Sequence, residues 1–109
     1  LKISDIYSLN YDWPSEYPNA HLRGVYIFFD SDMNVIYVGK ASCKTTIGHR
    51  LGSYFLYGPN KEAKPRNSKH SVVEHIATIG LPDTSFFEAP AIEEFLITRL
   101  TPKMNKVGI

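Results

Sequence analysis

Two apolar runs separated by a five-residue turn segment constrain the fold of this chain more than any other feature. Residues 23–29 (RGVYIFF) and 35–39 (VIYVG) are rich in β-branched and aromatic side chains, which favour strands. The connection at 30–34 (DSDMN) contains aspartate, serine and asparagine, which favour turns. Two strands joined by so short a connection pair antiparallel, so the sequence predicts a β-hairpin over 23–39.

The rest of the chain contains candidate helices and one further strand. Apolar residues at helical spacing predict a helix over 47–57 and favour a second over 72–79. Residues 84–87 (TSFF) predict a short third strand. Pro90 stands where prolines open helices and predicts a helix over 91–100. The pattern indicates an α+β fold, in which a small antiparallel sheet of the hairpin plus a third strand is flanked by helices.

The length of the chain allows one domain of ordinary size. A chain of 109 residues can bury roughly 65% of its unfolded surface, so it needs no disulfide or metal for stability. Residues 1–22 mix aromatics, prolines and turn formers, and we expect an irregular lead-in packed on a domain at 23–109. The single cysteine, Cys43, excludes an intramolecular disulfide. Because no apolar run approaches ~18 residues, we expect no membrane span and a cytoplasmic location.

The distribution of charge is more informative than its sum. The formal net charge of +1 argues against nucleic acid, since domains that bind it are usually strongly basic. Residues 39–70, however, contain seven lysines and arginines and one glutamate, a net charge of +6, whereas the remainder sums to −5. An anionic ligand is therefore expected at the middle third of the chain, although a solvated basic loop would have the same composition.

Each strand of the predicted hairpin pairs a tyrosine with a glycine at the end remote from the turn, and further polar residues follow at defined spacing. This constellation resembles the GIY-YIG nuclease superfamily, and 35–41 (VIYVGKA) is similar to the UvrC-type domain of excision-repair nucleases. The elements that carry the resemblance are 24–26 (GVY), 37–39 (YVG), 49–55 (HRLGSYF), 93–97 (EEFLI) and Asn105.

The resemblance implies an endonuclease that hydrolyses DNA with one divalent ion, Mg²⁺ or Mn²⁺. It marks Glu93 as the metal ligand, and one carboxylate with several waters suits Mg²⁺, which keeps much of its hydration shell. It marks Tyr26 as the candidate general base, assisted by Tyr37 and Lys40. Because a phenol titrates near ~10, that role needs a nearby cation. Arg50 suits a bidentate contact with the scissile phosphate.

Supporting roles follow from the same resemblance. Gly24 and Gly39 would allow close backbone approach, and Asn105 would fix the C-terminal segment or the glutamate. The basic residues expected to contact DNA without reading its bases are Lys44, His49, Lys61, Lys64, Arg66 and Lys69.

Every candidate also has a plain structural interpretation. Tyr26 and Tyr37 could be ordinary core aromatics, and Arg50 and Glu93 could be solvated helix residues. Two alternatives to a free-standing endonuclease stay open: a nucleic-acid-binding module without turnover, and an excised domain of a larger repair or restriction protein. Cutting both strands symmetrically would require a homodimer or two successive events.

Overall fold

A four-stranded antiparallel sheet with helices on its faces forms the fold in the computed structural model, which describes residues 3–9, 19–42, 44–57 and 63–106. The elements in chain order are β1 (Tyr7–Ser8), β2 (Arg23–Phe29), β3 (Val35–Ala41), α1 (Ile47–Gly52), β4 (Phe55–Tyr57), β5 (Ala63–Pro65), a 3₁₀ turn (Ser68–His70), β6 (His75–Leu81), a second 3₁₀ turn (Phe86–Glu88), α2 (Ala89–Leu100) and α3 (Lys103–Lys106).

The strand order is β1-β6-β2-β3, and every neighbouring pair is antiparallel. The predicted hairpin and the α+β class are confirmed. In the register of β2 and β3, Tyr26 stands opposite Gly39, and the pairing shifts after Phe28. On its other side Tyr26 stands opposite Thr78 of β6. Tyr26 therefore lies on an inner strand of the sheet, and Tyr37 lies on the adjacent edge strand.

The predicted helix over 47–57 is too long. Helix α1 begins after Thr46, whose side chain accepts a hydrogen bond from the His49 amide, and it ends at Gly52. The next residues leave the helix, and β4 pairs with β5 as a separate two-stranded ribbon. The prediction placed the apolar residues 55–57 in the helix because of their spacing. Their backbones instead form hydrogen bonds with β5, and apolar periodicity does not reveal such a partner.

The predicted helix over 72–79 is wrong, because residues 75–81 form strand β6. This strand lies between β1 and β2, and its residues 76–79 are buried. A strand covered on both faces has a nearly continuous apolar run, which short helices also have. The third strand of the predicted sheet is therefore β6, and β1 adds a fourth.

The predicted strand at 84–87 is also wrong, because Phe86–Glu88 form a 3₁₀ turn that leads directly into α2. Adjacent aromatic residues give the sequence a strand-like composition, but these residues pair with no strand in the part of the chain that the structure describes. The predicted helix over 91–100 is confirmed as part of α2, with Pro90 in its first turn. A left-handed residue, Thr101 with φ 43°, ends it.

The two faces of the sheet have different cores. The aromatic face carries Tyr26, Phe28 and Tyr37, which pack against α1, β4 and α3. The aliphatic face is covered by α2 and is made of Val25, Ile27, Phe29, Val38, Ala77, Ile79, Leu81 and Ala89. Alternation along β2 sends successive side chains to opposite faces, so one seven-residue strand contributes to both cores.

The lead-in contributes to the sheet where the structure describes it. Strand β1 pairs with β6, Ile3 forms an isolated bridge with Ile79, and Leu9 is buried in the aromatic core. Residues 10–18, Cys43 and Lys61 lie outside the described residues. No helix in the described ranges has the length and apolarity needed to cross a bilayer.

Candidate active site

Three buried tyrosines meet on the aromatic face of the sheet, beside the middle of the hairpin. The hydroxyl oxygens of Tyr26 and Tyr54 are 3.0 Å apart and share a hydrogen bond. Tyr37 lies 6.3 Å from the Tyr26 ring and 6.2 Å from the Tyr54 ring, measured between centroids. Tyr26 itself is fully buried. Such a cluster concentrates hydroxyl groups where a core would otherwise hold hydrocarbon, and each buried hydroxyl needs a partner.

Both motif glycines stand where another part of the chain lies too close to the backbone for a side chain. A Cβ on Gly39 would overlap the phenol end of the Tyr26 ring, which lies against the Gly39 backbone. A Cβ on Gly24 would overlap the carbonyl of Ile79 on the neighbouring strand, and its φ of +155° is one that other residues rarely adopt. Glycine at position 39 therefore lets the Tyr26 ring lie against β3. Glycine at position 24 lets β2 pair closely with β6.

Helix α1 brings Arg50 to the tyrosines. Its Nη2 donates to the Tyr26 hydroxyl at 3.4 Å, and its guanidinium carbon is 6.0 Å from the centroid of the Tyr54 ring. The Nε of Arg50 is buried and has no hydrogen-bond partner among the described residues. Because the side chain is also partly exposed, Arg50 joins the tyrosine cluster to solvent and keeps donors available for an anion.

Lys40 and Glu93 complete the cluster from the other face of the sheet. The Lys40 Nζ lies 3.9 Å from Glu93 Oε1, which joins the end of β3 to α2. The Lys40 side chain is 40% exposed and the Glu93 side chain 22%, so the pair is a weak surface contact that a ligand could displace. The adjacent Glu94 is exposed instead.

The hydroxyls of Tyr26 and Tyr37 are held neutral. Burial raises the pKa of Tyr26 above its ordinary value, Tyr54 raises it further, and the hydrogen bond from Arg50 opposes both. Burial and the hydrogen bond with Tyr54 likewise raise the pKa of Tyr37. The reciprocal effect raises the pKa of Arg50, chiefly through its bond to Tyr26. Arg50 therefore remains a cation beside neutral phenols.

Glu93 is a carboxylate beside this cluster that could hold a cation. Burial raises its pKa above the ordinary value, while Lys40 and Arg50 lower it. In the described ranges, no group of three or more histidine, cysteine or acidic side chains could hold a metal. A single, partly exposed oxygen donor fits a hard, largely hydrated ion such as Mg²⁺ or Mn²⁺.

Asn105 supports the strand that carries Tyr37 and Lys40. Its Oδ1 accepts from the Val38 amide at 2.9 Å, and its Nδ2 donates to the Val38 carbonyl at 2.9 Å. Strand β3 is at the edge of the sheet, so this amide takes the place of a missing neighbouring strand at one residue. Through these two bonds the side chain acts on the backbone of β3, one residue after Tyr37.

The predicted DNA contacts Lys44, His49, Lys64, Arg66 and Lys69 are all exposed. One of them is also a structural link. Arg66 Nε donates to the Gly52 carbonyl at 2.6 Å, and its amide donates to the Tyr54 carbonyl at 2.8 Å. With His49 and Ser53 it lines an open cleft of about 450 Å³ beside α1.

Two residues near the cluster were missed by sequence reasoning. Tyr54 lies within the motif stretch 49–55, but the sequence assigns it no role of its own, although its hydroxyl shares a hydrogen bond with that of Tyr26. His70 is 6% exposed, and its ring packs edge-on against Tyr54 at 4.9 Å between centroids. Burial lowers the pKa of His70, and Lys69 lowers it further. A tyrosine four residues after Arg50 gives a weak signal for Tyr54, and no local pattern indicates that His70 packs against it.

Comparisons with known proteins agree with this geometry. A family model described as the UvrC-like GIY-YIG domain matches residues 22–106. The UvrABC system protein C of Campylobacter jejuni is 34% identical over 91 residues, which are 81% of this chain and 14% of that protein. The corresponding protein of Prosthecochloris aestuarii is 40% identical over 83 residues, 75% of this chain and 12% of that protein.

No solved structure matches the chain significantly. The chain spans only about a seventh of the length of the curated relatives named above. The family model, in contrast, covers the whole hairpin, α1, the Glu93 helix and Asn105. The chain therefore belongs to the GIY-YIG nuclease superfamily, as a member of its UvrC-like group.

Proposed function

We propose that this chain is an endonuclease domain that hydrolyses phosphodiester bonds of DNA with one divalent ion. The observation that carries the proposal is the convergence of five residues around strand β3: Tyr26, Tyr37, Lys40, Arg50 and Glu93. Hydrolysis of a phosphodiester needs a water that loses a proton, and positive charge at the phosphorus-bound oxygens. Residues of each type meet here.

Arg50 binds the scissile phosphate in this proposal. Its guanidinium is fixed at one edge by the Tyr26 hydroxyl, 3.4 Å away, while other donors remain for phosphate oxygens. Because the arginine stays charged next to the neutral phenols, it stabilises the extra negative charge that develops on the phosphate in the transition state.

Tyr26 accepts the proton of the attacking water, with Tyr37 and Lys40 assisting. Since burial raises the pKa of Tyr26, only a small fraction of the free protein carries the phenolate at neutral pH. The hydrogen bond from Arg50 lowers the pKa and so favours that fraction. The rate should consequently increase as the pH rises.

Glu93 holds the divalent ion through its carboxylate. When bound, Mg²⁺ or Mn²⁺ would supply positive charge at phosphate oxygens and lower the pKa of a bound water. The weak contact of Lys40 with the carboxylate leaves both groups accessible, so Lys40 is free to turn toward the phosphate when a cation occupies Glu93.

The exposed basic residues hold the DNA backbone on either side of the cluster. Lys44 precedes α1 and His49 lies within it, while Lys64 is on β5 and Arg66 and Lys69 follow that strand. Contacts with phosphates are independent of sequence and weaken steeply with salt, so we expect modest affinity that falls as ionic strength rises. The relatives are bacterial proteins, and we propose that this chain acts on DNA in the cytoplasm.

The test is nicking of supercoiled plasmid by the wild type and two matched variants, Glu93→Ala and Glu94→Ala. Both positions are on α2, but only Glu93 contacts Lys40. We expect Mg²⁺-dependent nicking by the wild type, loss of at least about 100-fold in Glu93→Ala, and near-normal activity in Glu94→Ala. Circular dichroism would verify that both variants are folded.

An absence of nicking under every divalent ion and DNA geometry would overturn the catalytic proposal. Measured affinity for uncut DNA would then favour a binding module without turnover. Because the relatives are about seven times longer than the region they share with this chain, a nuclease domain within a larger protein is the second candidate. Mass analysis of the native gene product would decide between that and a free-standing domain.

A further inference from the structure

An open apolar groove lies between α2 and β6 on the aliphatic face of the sheet. It has a volume of about 360 Å³, and only one charged residue is in its lining. Strand β6 contributes Ile79, and the remaining lining residues come from α2 and the residue before it: Glu88, Ala91, Ile92, Phe95 and Leu96. Helix α2 therefore covers only part of this face, and a hydrophobic trough stays open along its side.

The side of α2 next to the groove carries an ordered stripe. Glu88, Ile92, Phe95 and Arg99 recur at helical spacing and so share one side of the helix. Phe95 is 59% exposed, a large exposed fraction for an aromatic side chain. The Arg99 guanidinium lies 5.5 Å from the centroid of the Phe95 ring, which keeps the cation on the same side.

The stripe on one α2 helix is complementary, in charge and apolar character, to the same stripe on an antiparallel copy. In two α2 helices packed antiparallel about a twofold axis, Glu88 of one copy would face Arg99 of the other, and Ile92 would face Phe95. Each opposite-charge pair then occurs twice, at the two ends of an apolar centre. Antiparallel packing matches every residue of the stripe with a favourable partner, whereas parallel packing would oppose like charges.

We propose that the groove and stripe of α2 bind a second copy of this chain and form a symmetric homodimer. A net charge of only +1 gives little general repulsion between copies, which favours such contact. We expect a contact limited to two helix stripes to be smaller than the ~1,200–2,000 Å² of a standard interface, and the dimer to be weak, with a dissociation constant on the order of 10–100 µM.

The interface leaves the candidate active site accessible. Glu93 contacts Lys40 and β3, on a different side of α2 from the stripe. The tyrosine cluster lies on the opposite face of the sheet. A dimer would thus join two complete sites in one particle. The proposal does not depend on nuclease activity, because association is measured without DNA or metal.

The test is sedimentation equilibrium of the purified chain from about 5 to 500 µM, with three single variants. We expect concentration-dependent dimerisation of the wild type. Phe95→Glu removes the apolar centre and should raise the dissociation constant at least about 10-fold. Glu88→Arg and Arg99→Glu each place like charges opposite one another and should do the same. Melting temperatures would show that the variants remain folded.

A charge exchange provides the decisive arm. The double variant Glu88→Arg with Arg99→Glu restores both ion pairs, as does mixing the two single variants in equal amounts, so dimerisation should return in each case. Glu94→Arg, an exposed change outside the stripe, is the matched control and should leave the dissociation constant unchanged.

Either of two results would overturn the proposal. One is a wild-type chain that stays monomeric throughout the concentration range, which would assign the groove to another occupant. The other is a dimer that persists in Phe95→Glu and is indifferent to the charge exchange, which would place the interface elsewhere.

Discussion

The two faces of the sheet are built from the same strands but serve different purposes. Alternate residues of β2 send Tyr26 and Phe28 to one face and Val25 and Ile27 to the other. The first face buries hydroxyl groups with a cationic arginine beside them. The second is hydrocarbon along β2, and Lys40 and Glu93 lie at its margin outside the aliphatic core. Since both faces are equally well covered along β2, burial alone does not distinguish the tyrosine cluster from the aliphatic core.

The two faces differ in the free-energy cost of burying their side chains. A buried hydroxyl must find a partner, and a cation at the edge of an aromatic cluster must keep contact with water. An aliphatic side chain needs only close packing. We therefore expect changes to the tyrosine cluster to affect chemistry more than stability, and changes to the aliphatic core under α2 to do the reverse.

Gly39→Ala should have the largest effect, because it disturbs both the stability of the fold and the chemistry of the tyrosine cluster. The new methyl group would overlap the fully buried Tyr26 ring, which has no space to move away. We expect a loss of more than about 3 kcal/mol in the free energy of unfolding and no detectable nicking. Urea denaturation measures the first and a plasmid assay the second. Near-normal stability would mean that the ring does not lie against Gly39.

The pH dependence of nicking should show the next largest effect. Because burial raises the pKa of Tyr26 well above neutrality, the phenolate fraction rises about tenfold for each pH unit. If Tyr26 is the base, the single-turnover rate at saturating Mg²⁺ should rise about 100-fold from pH 6.5 to 8.5. A flat profile over this range would exclude Tyr26 as the base.

Ile27→Ala, on the aliphatic face, should lower stability and leave the nicking rate unchanged. Ile27 is buried beside the motif tyrosine but contacts the core under α2. Removing its side chain should lower the free energy of unfolding by about 3 kcal/mol. At a temperature where the variant is folded, its nicking rate should match the wild type. A large loss of rate in the folded variant would contradict the division between the faces.

His70→Phe should have the smallest effect, and it should depend on pH. Burial lowers the pKa of His70 in the folded state, so protonation favours unfolding. The wild type is expected to lose stability as the pH falls below about 6.5, the ordinary pKa of histidine. Phenylalanine keeps the edge-on contact with Tyr54 and does not titrate, so the variant should lose less. Melting temperatures from pH 5 to 8, with His49→Phe as an exposed control, would measure the difference.

The parts of the fold that could be predicted from sequence are those with local signals. Turn-forming residues at 30–34 define the hairpin, and Pro90 marks the start of α2. The errors concern elements defined by distant partners. Strand β6 is recognisable only from its pairing with β2, and β4 only from its pairing with β5. Apolar periodicity in a short segment does not distinguish these cases.

The candidate site follows the same division. The motif residues Tyr26, Tyr37 and Glu93 could be named from a resemblance that depends on spacing along the chain. The contacts of Tyr54 with Tyr26, and of His70 with Tyr54, depend on where α1 ends and β6 begins, so the sequence alone did not indicate them. The role of Asn105 at the free edge of β3 likewise required the strand order.

The most direct test of the proposed nuclease is the single-turnover nicking rate of Tyr26→Phe, compared with the wild type in one Mg²⁺ buffer. This substitution removes one hydroxyl and keeps the ring on Gly39. We predict Mg²⁺-dependent nicking by the wild type, a rate at least about 100-fold lower in the variant, and similar melting temperatures. A folded variant that nicks at the wild-type rate would contradict the account.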